Sequence, residues 1–541
     1  MTQSRFLSRA LWGLLAIFLV TFLVSAPLAA APAVREIPIR AAGPGELITT
    51  PGTAKKAELL ALDEGLAPLL LKVKLEETVT VPDWPIAPDR RAEVRLTRRE
   101  IYAPDARIFS VEAERVRAVP RSRRVFLWGE AVGEADTRVL VSIDPADRMI
   151  RGFSLTQEGI HEMRPMDSRQ GQGARQHLVA PPDVFLDDRA AKAVETQAKC
   201  DQEHSAVPSF LQGSLEVGSG DPDFVGAAIT SLHTVTVAVE TDNELLSLKF
   251  SNNTTSASNY LAELFAAMNV IYERDLKIRL LQGTTFLRPS TTADPYNQPV
   301  SASTFDKLIE FGNYWGATYG GVTRALTMML SGKQSSNFSS SGIAWLNGLC
   351  STSNGYSFTQ VFKFSGSTAA SDTLVVAHEL GHNFGSPHTH CYSPPIDNCY
   401  NAEGGCYAGN RVCPAAQTIN GVPNVTGTLM SYCHLSGISG CTSSKVFHPN
   451  SIALLNPKID AKVGACIFPA APIGPTVAAV NPKSGPTAGG TPVTITGTNF
   501  LAGATVTFGG TAASSVVVAS PTLITALTPA KATGTVAVVV T

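Results

Sequence analysis

Five residues in the run HELGHNFGSPH have the types and spacing for metal-assisted hydrolysis: His378, Glu379, His382, Gly385 and His388. On a helix, histidines four apart project from one face, one turn above the other, and can share a metal ion. Glu379, beside the first of them, can reach a water on that metal without itself ligating, as a general base must. Gly385 enters the left-handed conformation at little cost and ends the helix. The chain can then double back so that His388 supplies a third nitrogen. Three histidines leave one position for water, the arrangement of a catalytic rather than a structural zinc site. Background composition gives on the order of 10^-5 chance matches to these five positions in a chain of this length. A buried helix with incidental histidines is therefore set aside.

The elements that position these residues come next. In SDTLVVAHELGHNF, Val376, Leu380 and Phe384 recur at helical spacing, so one face can pack while the histidines face a cleft. Downstream lies TLMSYC, with Met430 and Tyr432. The long histidine pattern followed by such a methionine resembles the metzincin zinc endopeptidases. The resemblance implies an α+β zincin-like catalytic domain with a mixed sheet and one catalytic zinc ion. It implies His378, His382 and His388 as ligands, Glu379 as catalytic base and Met430 as a hydrophobic floor under the metal. Ordinary core packing is the plainer reading of a lone methionine. Tyr432 falls where astacins and serralysins, two metzincin groups, carry a tyrosine that contacts zinc or the oxyanion; a core tyrosine beside the turn is the alternative.

Upstream, the spacing predicts a strand at His233–Val239, a helix at Ser256–Tyr272, a strand at Lys277–Leu281, a helix near Phe305–Trp315 and a strand at Ala325–Leu330. The order VTVAVETDNE, NVIYERDLKIRLL, KLIEFGNYWG, GIAWLNGLC resembles the reprolysin (adamalysin) catalytic domain over about Thr234 to Cys466. That likeness implies an edge strand at Gly342–Leu349, pairing antiparallel with an extended substrate, and a disulfide between Cys350 and Cys466. The chain departs from the group at Thr389, usually Asp, and at His390. His390 is an alternative third ligand on composition alone; the family spacing favours His388 and leaves His390 as a solvated loop histidine. Acidic residues matching the family's calcium site are not evident, so calcium stays unknown.

At 541 residues, with 44% apolar and 16% charged residues, the chain is long enough for several folded domains. A net charge of −2 gives no electrostatic case for nucleic acid or an anionic membrane. The first 31 residues read as an export signal: Arg5 and Arg9, an apolar core, then Ala29 and Ala31 as a cleavage pair. An uncleaved anchor is the alternative, since Ala10 to Ala26 is nearly long enough to span. Residues 32–212 are strand-like with turn punctuation, and Val125 to Pro165 resembles reprolysin propeptides, so a β-rich propeptide is expected there and the metallopeptidase domain at 213–468. Eight of the nine cysteines lie from Cys350 to Cys466, which suits an oxidising destination and allows about a hundred pairings. Cys200 stands apart. It could fill the open metal position as a latency switch, or be a spare thiol, an intermolecular bridge, or a bystander to Asp201. After a proline-rich linker, residues 473–541 resemble an IPT/TIG domain, an immunoglobulin-like β-sandwich without histidine, cysteine or acidic residues. Its ligand is not legible.

The expectation is thus a multidomain, secreted zinc metalloendopeptidase, made as a zymogen and acting on protein or peptide substrates, with neither nucleic-acid nor stable membrane partners. The rival from another class is a cell-surface binding protein that keeps an inactive peptidase scaffold. An intact Glu379 argues against it.

Overall fold

The segment Val125–Ala131 shows how the N-terminal half is built. Side chains alternate across a strand, and here both faces are apolar: Val125 and Leu127 enter one core while Phe126 and Trp128 enter another. A sheet so patterned must be covered on both sides. In the computed structural model this strand lies within a ten-stranded sheet drawn from residues 35–180. The model describes residues 34–49, 56–112, 115–134, 137–156, 158–166, 176–186, 188–196, 198–200, 231–290, 293–364, 366–470, 475–498, 500, 503–520 and 522–540. The expected export signal and the stretch around Gly213 to Asp221 lie outside these residues.

One face of the ten-stranded sheet encloses Val79, Val81, Trp84, Leu127 and Val141, closed by the helix Leu66–Leu71. Its other face presents Phe126, Trp128, Leu140, Phe153 and Leu155 to the long helix Thr254–Leu276, sharing a core with Leu261, Leu264 and Phe265. Polar contacts rim this interface. Ser122 Oγ lies 2.6 Å from Asn259 Oδ1, and Trp128 Nε1 donates to Glu273 at 3.2 Å. Arg279 bridges Glu76 and Glu273 from the far side.

The second large sheet is mixed. Its centre is His233–Thr241, flanked by parallel neighbours Ile278–Leu287 and Leu326–Ser331; Tyr356–Gln360 continues parallel, and Ser340–Ala344 closes antiparallel. These match the expected elements, most of them longer than expected and Leu326–Ser331 shifted by one residue; the helix near 305 runs Thr304–Tyr319. The edge strand is shorter than the expected Gly342–Leu349. It stops at Ala344, because Asn347 and Cys350 take positive φ (60° and 64°) and turn the chain away.

Both outer strands of this sheet carry neighbours from the preceding segment. The hairpin Ile108–Glu112/Arg115–Val119 adds beside Ile278–Leu287 in parallel. On the opposite side, Ala198–Cys200 adds to Ser340–Ala344, also in parallel, with Cys200 opposite Gly342. Between the two, the helix Asp188–Thr196 packs Ala190 and Ala193 on Phe362 and Phe364. Residues 34–473 accordingly cluster as one compact unit.

The C-terminal unit, described by itself, has a four-stranded and a three-stranded sheet around Val493, Ile495, Phe500, Val506, Phe508, Ile524 and Val540. Pro492–Thr498 pairs antiparallel with both Thr476–Asn481 and Leu523–Leu527. Among the described residues no helix is long and apolar enough to cross a membrane.

Each large side chain buried at the 125–155 face contributes about 1.5–3 kcal/mol. A chain beginning at residue 231 therefore leaves the long helix's apolar face and the free strand edge in water. Such a chain should give little soluble, cooperatively unfolding protein, and co-expressing residues 34–200 in trans should restore it. A 231–541 protein with an undiminished, cooperative thermal transition would contradict this packing argument.

Candidate metal centre

The helix Ala369–Phe384 carries the first two histidines and is fixed at both ends. At its start Thr368 and Ser371 form a capping box, and Asp372 is buried. One Asp372 oxygen accepts the Phe362 N–H at 2.9 Å; the other accepts the Tyr260 hydroxyl at 2.7 Å and the Lys249 ammonium at 3.2 Å. Burial lowers the Lys249 pKa, and Asp372 opposes that fall. At its end Gly385 stands at φ 111°, in the left-handed region. Lys458 Nζ donates to the Gly385 carbonyl and to Asn347 Oδ1, both at 2.7 Å.

These supports bring three imidazoles together. His382 Nε2 is 3.1 Å from His378 Nε2 and 3.0 Å from His388 Nε2. Each Nδ1 faces an acceptor at 2.7 Å: the Leu429 carbonyl for His378, the Ser386 carbonyl for His382, the Glu403 carboxylate for His388. Carbonyls and carboxylates only accept, so each Nδ1 carries its proton and each Nε2 turns a lone pair toward the other two. Three lone pairs converging at this distance suit a cation, and the donor set fits zinc. Burial lowers the His388 pKa, with Glu403 pulling against it.

Glu379 is fully buried and lines a narrow pocket with His378, Leu374, Val375, Leu429, Tyr432 and His434. The pocket has room for about 10 Å³, the space of one water. The edge strand crosses directly over the carboxylate. A Cβ at Gly342 would overlap Glu379 Cγ and Oε1, so only glycine lets the strand approach this closely. Met430 lies under the helix, its sulfur 2.5 Å from where a Cβ on Gly381 would be. Its carbonyl accepts from the Thr389 N–H at 3.0 Å and the Thr389 hydroxyl at 3.3 Å. Thr389, read above only as a departure, thus ties the third histidine's loop to the methionine turn.

Tyr432 is buried against the cluster, its ring centroid 4.2 Å from that of His388 and 5.9 Å from that of His378. His390 is corrected by the structure: it is wholly buried, not solvated, and its Nε2 donates to Glu403 at 2.8 Å. Glu403 was missed in the sequence. It sits in NAEGGCYAGN, without periodicity or motif, and only the nearby cysteine Cys406 hints that its loop is held. The structure joins Cys350 to Cys466, Cys391 to Cys406, Cys399 to Cys433 and Cys413 to Cys441. The backbone of Cys200 pairs opposite Gly342.

No curated protein matches the chain. A solved structure titled "Structure of a chaperone-substrate complex" is similar at 13% identity and a TM-score of 0.24, over 42% of this chain and 35% of that one, a likeness too low to carry an argument. This chain therefore spans about a third of that one's length. Residues 231–439 match the model of metallo-peptidase family M12, and residues 475–541 match that of the IPT/TIG domain. The chain thus carries a metallopeptidase domain of family M12 followed by an IPT/TIG domain.

Proposed function

We propose that the protein is a secreted zinc endopeptidase of metzincin type, made as a zymogen, with His378, His382 and His388 holding the metal. The observation that carries this reading is the convergence of three Nε2 lone pairs beside the buried Glu379. A zinc ion held by His378, His382 and His388 would supply Lewis acidity toward the scissile carbonyl and the attacking water. Glu379 takes a proton from the attacking water and returns it to the leaving amine nitrogen. The Ser340–Ala344 backbone offers its amides and carbonyls to an extended peptide by strand addition. Leu374, Val375 and Leu429 narrow the pocket beside Glu379 to about the space of the one attacking water. The four disulfides and the apolar, alanine-rich N-terminus favour export. The C-terminal IPT/TIG unit holds a partner or spaces the enzyme from one.

Latency follows from strand pairing. Ala198–Cys200 occupies the edge where a substrate strand would add, and it puts Cys200 opposite the glycine that lies over Glu379. A thiolate there can fill the position otherwise left to water. The parallel direction is the reverse of the antiparallel pairing expected of substrate, so the blocking segment does not present a peptide bond as a substrate does.

Replacing Glu379 by Ala should leave zinc bound while lowering turnover by several orders of magnitude. His388→Ala should lose both metal and activity. Zinc measured in the purified variants, beside cleavage of a denatured protein, decides; near-normal activity in Glu379→Ala sinks the mechanism. Tyr432→Phe in the same assay tests an oxyanion contact, worth a few kcal/mol where one exists. An unchanged rate returns Tyr432 to packing. For latency, the uncleaved Cys200→Ser protein should be active where wild type is silent, and a thiol-capping mercurial should activate wild type. A silent Cys200→Ser protein would assign the block to the strand alone.

A further inference from the structure

Glu403 belongs to none of the motifs used above, yet its one oxygen Oε2 is 2.7 Å from His388 Nδ1 and 2.8 Å from His390 Nε2. We infer that Glu403 is the positioning residue of the third metal ligand, held to that task by His390 and the Cys391–Cys406 disulfide. The inference rests on the metal-site reading above.

The first two histidines lie on one helix and lean on backbone carbonyls, Leu429 for His378 and Ser386 for His382. His388 is on no regular element before the short turn Thr389–Cys391, so helical hydrogen bonding does not fix its ring. A carboxylate does so instead. Charge-assisted hydrogen bonds are roughly twice as strong as neutral ones, so His388 is also the ligand with the most electron-rich Nε2. A carboxylate held in place beside a metal-bound imidazole is the usual way such a ring is oriented.

A buried carboxylate needs more than one donor, and Glu403 has only 8% of its side chain exposed. His390, with its ring parallel to His388 within 5° at 5.4 Å, supplies the second N–H. The one oxygen Oε2 thus accepts from both rings, at 2.7 Å from His388 and 2.8 Å from His390. The loop is locked on each side of the pair. The Tyr407 N–H donates to the His390 carbonyl at 3.0 Å, and Cys391, next to His390, is bonded to Cys406, three residues beyond Glu403. The cluster His388, His390, Cys391 and Glu403 also has the makings of a separate metal site. That use is closed to it, because the Cys391 sulfur is in a disulfide and the carboxylate oxygen already accepts two N–H groups.

The test uses the full chain as wild type, Glu403→Ala, Glu403→Gln, His390→Phe and His390→Gln. Zinc affinity is read by competition with a chromophoric chelator, and ligand geometry by the visible spectrum of the cobalt-loaded protein. Glu403→Ala should bind zinc about 10–100-fold more weakly and shift the cobalt bands. Glu403→Gln, which keeps an acceptor without the charge, should fall between Ala and wild type. His390→Phe should weaken zinc, and His390→Gln, which restores a donor, should recover part of the loss. Thermal midpoints of the metal-free proteins should stay together. The inference is overturned if wild type binds zinc and Glu403→Ala binds it within twofold, or if the metal-free midpoint falls in step with affinity. If Glu403→Ala does not fold, the isosteric Gln variant decides by the same criterion. Wild type that takes up no zinc overturns the metal-site reading itself, and this inference with it.

Discussion

The arrangement depends on three Nδ1–H groups, each held by a fixed acceptor. An imidazole can offer its Nε2 lone pair only while its proton stays on Nδ1, and a rotating ring or a switched tautomer would take the donor away. The Leu429 and Ser386 carbonyls and the Glu403 carboxylate prevent that. All three acceptors lie outside the helix that carries two of the histidines. The segment from Ser386 to Leu429 must therefore be as rigid as the helix, although it holds little regular structure.

That requirement explains where the cysteines are. Over roughly sixty residues the chain between the helix Ala369–Phe384 and the helix Pro449–Asp460 has only short strands and single turns, too little to build a core of its own. Cys391–Cys406, Cys399–Cys433 and Cys413–Cys441 cross-link it internally, and in the chain-entropy account a loop of about 15 residues gains about 3 kcal/mol from closure. Cys433 directly follows Tyr432, which lies against His388 and His390, so this bridging fixes the aromatic wall as well as the acceptors.

What could be read in the sequence followed the range over which each feature is encoded. The helix with His378 and His382 is local, set by 3.6-residue spacing and a glycine stop, and it was legible. The central strands were legible in kind, though their ends shifted because pairing partners lengthen them. Val125 to Pro165 reads only as strand-like; that Val125–Ala131 is buried on both faces, the second covered by a helix more than a hundred residues on, is not encoded locally. His390 reads as a solvated loop histidine because the family spacing favours His388; its partner Glu403 is brought in by a disulfide whose pairing sequence does not choose. The strand Ala198–Cys200 is three residues long, too short for any periodicity, so its place at the cleft edge could not be read.

The two places where the N-terminal segment caps the enzyme sheet are physically unequal, and the inequality suits the proposed zymogen. Unprotected strand edges invite pairing with other chains, so covering both protects the protein while it folds. At the far edge a two-stranded hairpin is backed by a wall of five large apolar side chains, Phe126, Trp128, Leu140, Phe153 and Leu155. At the cleft edge only Ala198–Cys200 adds, and a backbone hydrogen bond contributes a net of about 0.5–1.5 kcal/mol. So short a strand is held chiefly by the chain leading into it, including the helix Asp188–Thr196 packed on Phe362 and Phe364, which keeps it at an effective concentration of roughly millimolar. Cutting the chain beside it removes that advantage and leaves an extended substrate to compete on equal terms for the Ser340–Ala344 edge, while the apolar wall keeps its hold. In the proposed zymogen, release of the cleft would thereby be separable from release of the N-terminal sheet, the first being the easier step.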